Sequence, residues 1–144
     1  MGLWKGIALS VLLAGSAAAA GEAPQLAQNV ELQSAEKLDA TALNGRLRSM
    51  ARKGSPISLV LELIGGTEET PRVLVDLAGD EKVDFNRVTV IVVRDGFQDD
   101  SVRGDWHEFK LSRSADGDWT VDAARRAYRC WRGTFKGYSS QICS

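Results

Sequence analysis

Val88-Thr89-Val90-Ile91-Val92-Val93 decides how this chain folds. All six residues are β-branched, which stiffens the side chains and favours a pleated strand. Apart from Thr89 both faces are apolar, so the strand is predicted to run inside a sheet covered at least partly on both sides. Residues 106–112 alternate, with Phe109 and Leu111 on one face. Ser114-Ala115-Asp116-Gly117-Asp118 then reads as a hairpin turn. Trp119-Thr120-Val121-Asp122 opens a last strand that runs toward Trp131, with an irregularity near Ala123 and Ala124. On the other side of the central run, residues 72–77 also read as a strand. The connections are short, which implies an antiparallel meander, because parallel neighbours need long crossovers.

Before residue 71 the rhythm changes. Ser34 can cap a helix over residues 34–52, in which Leu38, Ala42, Leu43, Leu47, Met50 and Ala51 fall three and four apart. Gly45 weakens its middle by roughly 1 kcal/mol relative to alanine, and Lys53-Gly54 can end it. Residues 57–64 admit two readings. As a helix, Ile57, Val60, Leu61 and Ile64 oppose Ser58 and Glu62; as a strand, Ile57, Leu59, Leu61 and Leu63 alternate. The Ser55-Pro56 start and Gly65-Gly66 stop tip the balance toward the helix. Helices first and strands after give an α+β class: one or two N-terminal helices packed on an antiparallel sheet of about four strands. A sheet curved around a helix can hold a pocket at its open end, as in cystatin-like and nuclear-transport-factor-like shapes; that analogy carries no function.

The N-terminus has one basic residue, Lys5, then the apolar run 7–14 and small residues ending Ala17-Ala18-Ala19-Ala20. This is the pattern of a secretory signal over residues 1–20, too short for a stable membrane anchor. Residues 21–33 read as a flexible lead-in and residues 34–144 as a single globular domain. No cysteine near the predicted cut favours lipid attachment, and no further long apolar stretch predicts a membrane span. The net charge of −1 falls by the one charge of Lys5 to −2 after cleavage. A chain so close to neutral lacks the basic face that nucleic acid requires. About 124 residues support one core, not two.

Cys130 and Cys143, the chain's two cysteines, lie thirteen residues apart in its last fifteen. Export and an even count predict a structural disulfide, and closing a loop of this size stabilises by about 3 kcal/mol in the chain-entropy model. Two cysteines and one distant histidine supply too few soft ligands for zinc, and the spacing is not that of a redox pair. The predicted location is periplasmic or extracellular.

Three constellations offer chemistry. Arg125, Arg126, Arg129, Arg132 and Lys136 crowd the same region as Tyr128, Trp131, Phe135 and Tyr138. They form either a patch that binds an anionic polymer, membrane surface or acidic partner, centred on Arg129, Trp131, Arg132 and Phe135, or a solvated strand face whose arginines pair with Asp95, Asp99, Asp100 or Asp122. His107, the only histidine, shares a strand face with Asp105, and Ser101 is near in sequence; no nucleophile elbow surrounds that serine. Asp95, Asp99, Asp100 and Asp105 flank Gly96 and Gly104. They raise calcium binding or acid–base chemistry with Glu108, against a plain turn in which Asp99 and Ser101 bond backbone amides. Their spacing is not that of an EF-hand. No phosphate-cradling or dinucleotide motif occurs, so no cofactor is predicted.

The run Asp99-Asp100-Ser101-Val102-Arg103, the pattern Trp119-x-Val121-x-x-Ala124, and Arg129-Cys130-Trp131-Arg132-Gly133 followed by Cys143 resemble a group of small exported bacterial proteins of unassigned function. The resemblance covers residues 86–144 and implies export and a cysteine-closed tail, but no reaction or ligand. Three functions follow: a non-catalytic exported domain that binds a protein or envelope component, a small-ligand carrier with a helix–sheet pocket, or a hydrolase using Asp99, Asp100, Glu108 or His107.

Overall fold

The computed structural model describes residues 27–50, 53–68, 70–79 and 85–144. The expected signal, residues 1–20, lies outside them. A 3-10 turn (Ala27–Asn29) leads to β1 (Glu36–Lys37), α1 (Ala40–Ser49) and α2 (Pro56–Leu63). A meander follows: β2 (Arg72–Gly79), β3 (Arg87–Asp95), β4 (Val102–Arg113) and β5 (Trp119–Cys130). The α+β class stands, but the antiparallel sheet has five strands in the order β1-β5-β4-β3-β2, not about four.

The extra strand comes from the predicted helix. Glu36 and Lys37 pair with Arg126 and Arg125 of β5, and the Leu38 amide bonds the Ala124 carbonyl. The helix therefore starts late, where the Asp39 carboxylate accepts from the Thr41 amide at 2.8 Å. The segment with two readings is α2, with Pro56 in its first turn. Its buried residues are Leu59, Val60 and Leu63; Ile57, Leu61 and Ile64, expected innermost with Val60, are only half-buried.

β3 is covered on both faces. Val88, Val90 and Val92 join Leu43, Leu47, Leu59, Val60, Phe109 and Leu111 in the core beneath the helices. Val93 packs on the opposite face with Trp106, Ala127, Ala27 and Tyr138. Fully burying a side chain such as Phe109 or Val90 contributes roughly 1.5–3 kcal/mol. The predicted irregularity in β5 is a bulge: Leu111 faces Val121 whereas Lys110 faces Ala123, leaving Asp122 unpaired in the register. The bulge restores parity, so that Trp119, Val121 and Ala124 all enter the helix-side core.

Among the described residues no α-helix covers the second face. Residues 27–33, expected as a loose lead-in, pack there instead, with Ala27 buried and Leu32 bridged to Tyr138. The tail is stitched to them and to β5: the Gln33 amide donates to Tyr138 O at 2.9 Å, and Tyr128 and Ser139 exchange backbone bonds of 2.7 and 2.9 Å. The Cys130–Cys143 disulfide closes this tail, with Cα atoms 5.4 Å apart.

β3 and β4 approach so closely at Gly104 that a β-carbon there would stand 2.2 Å from the Arg94 carbonyl oxygen. Gly104→Ala is expected to force the two strands apart at a cost of about 2–3 kcal/mol, read as a fall in Tm of roughly 10 °C. An unchanged Tm would show that the backbone adapts.

Candidate functional site, the cavity between the helices and the sheet

Alternation along β4 turns Asp105, His107 and Phe109 to one face, the face the helices cover. The register then lines up two rows across the sheet. Tyr128 of β5 and Arg94 of β3 flank Asp105; Arg126 of β5 and Val92 of β3 flank His107. Glu36 of β1 extends the second row beyond Arg126. Between this polar floor and the helices lies a cavity of about 460 Å³. Its apolar walls are Leu38, Ala42, Leu43, Leu63, Ile64 and Phe109. Leu43, Leu63, Asp105, His107 and Phe109 are buried and form its depth; Asp39, Ala42, Arg46 and Gly65 are exposed and mark its mouth.

The floor charges are matched in pairs. Arg94 grips Asp105 with two parallel hydrogen bonds, one of them 2.8 Å, and donates a third to the Gly66 carbonyl at 2.7 Å, tying the end of α2 to the sheet. Arg126 bonds Glu36 at 2.8 Å and lies 4.9 Å over the Tyr128 ring. Burial pushes the Asp105 carboxyl up, but the forked hydrogen bonds and positive charge of Arg94, with the His107 ring close beside it, outweigh burial and hold the group below its ordinary value.

His107 is different. Its side chain is 6% exposed, and its Nε2 lies 3.0 Å from an Asp105 oxygen. The contact is poorly aligned, and neither ring nitrogen has a hydrogen-bond partner. The ring packs in near-parallel fashion beside Phe109, centroids 6.2 Å apart.

The other predicted residues lie elsewhere. Arg129 reaches Asp95 at 3.3 Å on the far face of the sheet, and Arg103 reaches the same carboxylate at 3.0 Å while lying 5.0 Å over the Trp131 ring. Trp131 is 43% exposed, Arg132 is exposed and Phe135 half-buried, and Arg132 and Phe135 line one hollow beside the disulfide. Arg125 forks onto Glu108, also on the far face, 5.5 Å over Trp106. Asp99 accepts from the Ser101 and Val102 amides at 2.8 and 2.7 Å, and these bonds hold its carboxyl low. Asp95, Asp99 and Asp105 are thus engaged by different partners, and among the described residues no group of three His, Cys, Asp or Glu is placed to hold a metal. Glu108 and His107 face opposite sides of the sheet, so the carboxylates and histidine raised for hydrolysis do not converge. Sequence reading did not single out Arg94 or Glu36 and grouped Arg126 with the tail cations, because Arg94 and Arg126 reach the cavity, and Glu36 reaches Arg126, only through pairing with a distant strand.

No family model matches this chain, and no curated protein or solved structure is significantly similar to it.

Asp105→Asn breaks a buried ion pair and is expected to destabilise by about 3 kcal/mol at neutral pH. Because folding lowers the Asp105 pKa, its contribution is present above the unfolded value of 3.8 and fades as pH falls through the folded one. The gap in urea midpoint between wild type and variant therefore closes in acid. A gap constant with pH would remove the ionised pair as its source.

Proposed function

We propose that this chain is an exported, non-catalytic binding domain that carries a small neutral amphiphile in its helix–sheet cavity. One observation carries the reading: His107 sits buried at the floor with Nδ1 unbonded and Nε2 in only a poorly aligned contact with Asp105. A buried polar group left unpaired costs about 1–3 kcal/mol. A ligand whose polar end bonds the imidazole offsets that cost, while its apolar body meets Leu38, Leu43, Leu63 and Phe109. The ligand's head is neutral because the neighbouring charges already cancel: Arg94 with Asp105, and Arg126 with Glu36. Imidazole can donate or accept, so a hydroxyl, carbonyl or amide fits. The volume lies within the ordinary range of small-molecule sites. Export is supported by the residue pattern of 1–20 and by the disulfide, which persists in oxidising compartments. Among the described residues no helix is long and apolar enough to cross a membrane.

A second reading, docking of a protein or envelope component at the tail, is favoured by the exposure of Trp131 and Ile142. It is weakened because Arg129 is held by Asp95 and Arg103 shelters the Trp131 ring.

The test is calorimetric titration of the oxidised protein with medium-chain alcohols and amides, one site per chain expected. Ala42→Trp, at the exposed mouth, should abolish binding without disturbing the core. His107→Leu should weaken binding at least tenfold while leaving Tm unchanged or raised, since it removes the unpaired group. A loss of 2 kcal/mol or more in that variant, by the same reasoning, would make His107 a structural partner of Asp105 instead. Absence of saturable binding in the wild type would overturn the carrier reading.

A further inference from the structure

The two edges of the sheet are finished differently. On β5 the outward backbone is occupied along much of its length. Asn44 of α1 acts as a substitute strand, donating from Nδ2 to the Val121 carbonyl at 2.9 Å and accepting the Val121 amide on Oδ1 at 2.8 Å. Leu38 takes the Ala124 carbonyl, β1 pairs with Arg125 and Arg126, and Ser139 pairs with Tyr128. On β2 no described strand lies beyond the outer edge. Val75 and Leu77, on its helix-side face, are each 40% exposed.

The charges of β2 are also incomplete. Arg72 and Asp76 lie on the other face, four residues apart. Arg72 is exposed and makes no ion pair among the described residues; Asp95, opposite it on β3, is taken by Arg103 and Arg129. The Asp76 Oδ2 atom is buried without a hydrogen-bond partner. One strand thus carries, among the described residues, a cation without an ion pair and a carboxylate oxygen without a partner, in a self-complementary arrangement.

We propose that β2 is a dimerisation edge, pairing antiparallel with β2 of a second copy about a two-fold axis at Leu74 and normal to the sheet. In that register Arg72 of each copy stands opposite Asp76 of the other. Val73 meets Val75, and Leu77 stands opposite Pro71, so the exposed apolar residues also gain partners. Moving the axis to Asp76 would set like charges face to face, and moving it to Val75 would leave both charges opposite apolar residues. The result is one continuous sheet with the helices of both copies on the same side, an isologous interface. Pairing also removes the hazard of an open, apolar edge.

Sedimentation of the oxidised protein over a concentration series should show a monomer–dimer equilibrium. Arg72→Asp and Asp76→Arg should each weaken association about tenfold by placing like charges opposite each other twice. An equal mixture of the two variants should associate again, because every facing pair is then opposite in sign. Arg72 is exposed and its replacement leaves the core untouched; near-ultraviolet dichroism of the tryptophans checks that both variants are folded. If Asp76→Arg is unfolded, Asp76→Asn in its place should still weaken the dimer. A wild-type chain that stays monomeric throughout overturns the proposal and leaves the edge to another strand. Folded single variants that dimerise undiminished, or a mixture that gains nothing, overturn it as well.

Discussion

The forked bond between Arg94 and Asp105 fixes the register of β3 on β4, and most of the molecule follows from that register. A slip of one residue would turn every side chain of one strand to the wrong face. Here the pairing sends Val88, Val90, Val92, Phe109 and Leu111 under the helices and leaves Asp95 and Trp106 on the far side. It also holds the third donor of Arg94 against Gly66, so the same guanidinium sets the distance between α2 and the sheet. A buried charge pair is weak evidence of net stability against an apolar alternative. What it supplies here is alignment, because apolar β-branched residues on both faces of β3 would tolerate a slipped register more easily than a misplaced charge.

The far face shows how a sheet can be covered without a long helix. Trp106, Val93 and Ala127 need cover, and two irregular segments give it: residues 27–33 from one end of the chain and Tyr138 from the other. Irregular backbone loses more conformational entropy per contact than a helix that hydrogen-bonds itself. The disulfide offsets part of that cost by restricting the tail before it docks. Tyr138 is the pivot of this cover. Burial first, and the nearby Asp95 carboxylate next, push its phenol up to about 12, so the ring stays neutral in its slot across the physiological range.

The fold was legible where the signal is local. Six β-branched residues in a row, an Asp-Gly turn and Ser-Pro before an apolar octet each announce their element without help from the rest of the chain. The two-residue β1 was not legible, because Glu36 and Lys37 sit in a helical pattern and only Arg126, ninety residues away, draws them into the sheet. The same distinction divides the site. Asp105 and His107 could be placed together by alternation alone. Arg126 and Glu36 could not, since which residue of β5 stands opposite which of β4 depends on a bulge at Asp122 and a second shift beside Arg103, and Arg94 could not, since it meets Asp105 only through the register of β3 on β4. The basic residues of the tail are hard to read for a related reason: composition shows five cations and several aromatics together, but alternation deals Arg125 and Arg129 to one face and Arg126 to the other.

That dealing also explains how a sheet so rich in charge remains closed. Arg94, Arg113, Arg125 and Arg126 each lie over an aromatic ring at 4.9 to 5.7 Å, and Arg94, Arg125 and Arg126 also fork onto or bond a carboxylate. Guanidinium suits this double use because its plane stacks while its edge donates. The aliphatic stems then cover apolar surface that short helices leave bare. In such a structure the groups outside the scheme stand out: His107 in the cavity and Asp76 on the open edge are the two described residues whose buried polar atoms find no partner. Each lies where another molecule can approach, one beneath the mouth between α1 and α2, the other on the strand the sheet leaves free.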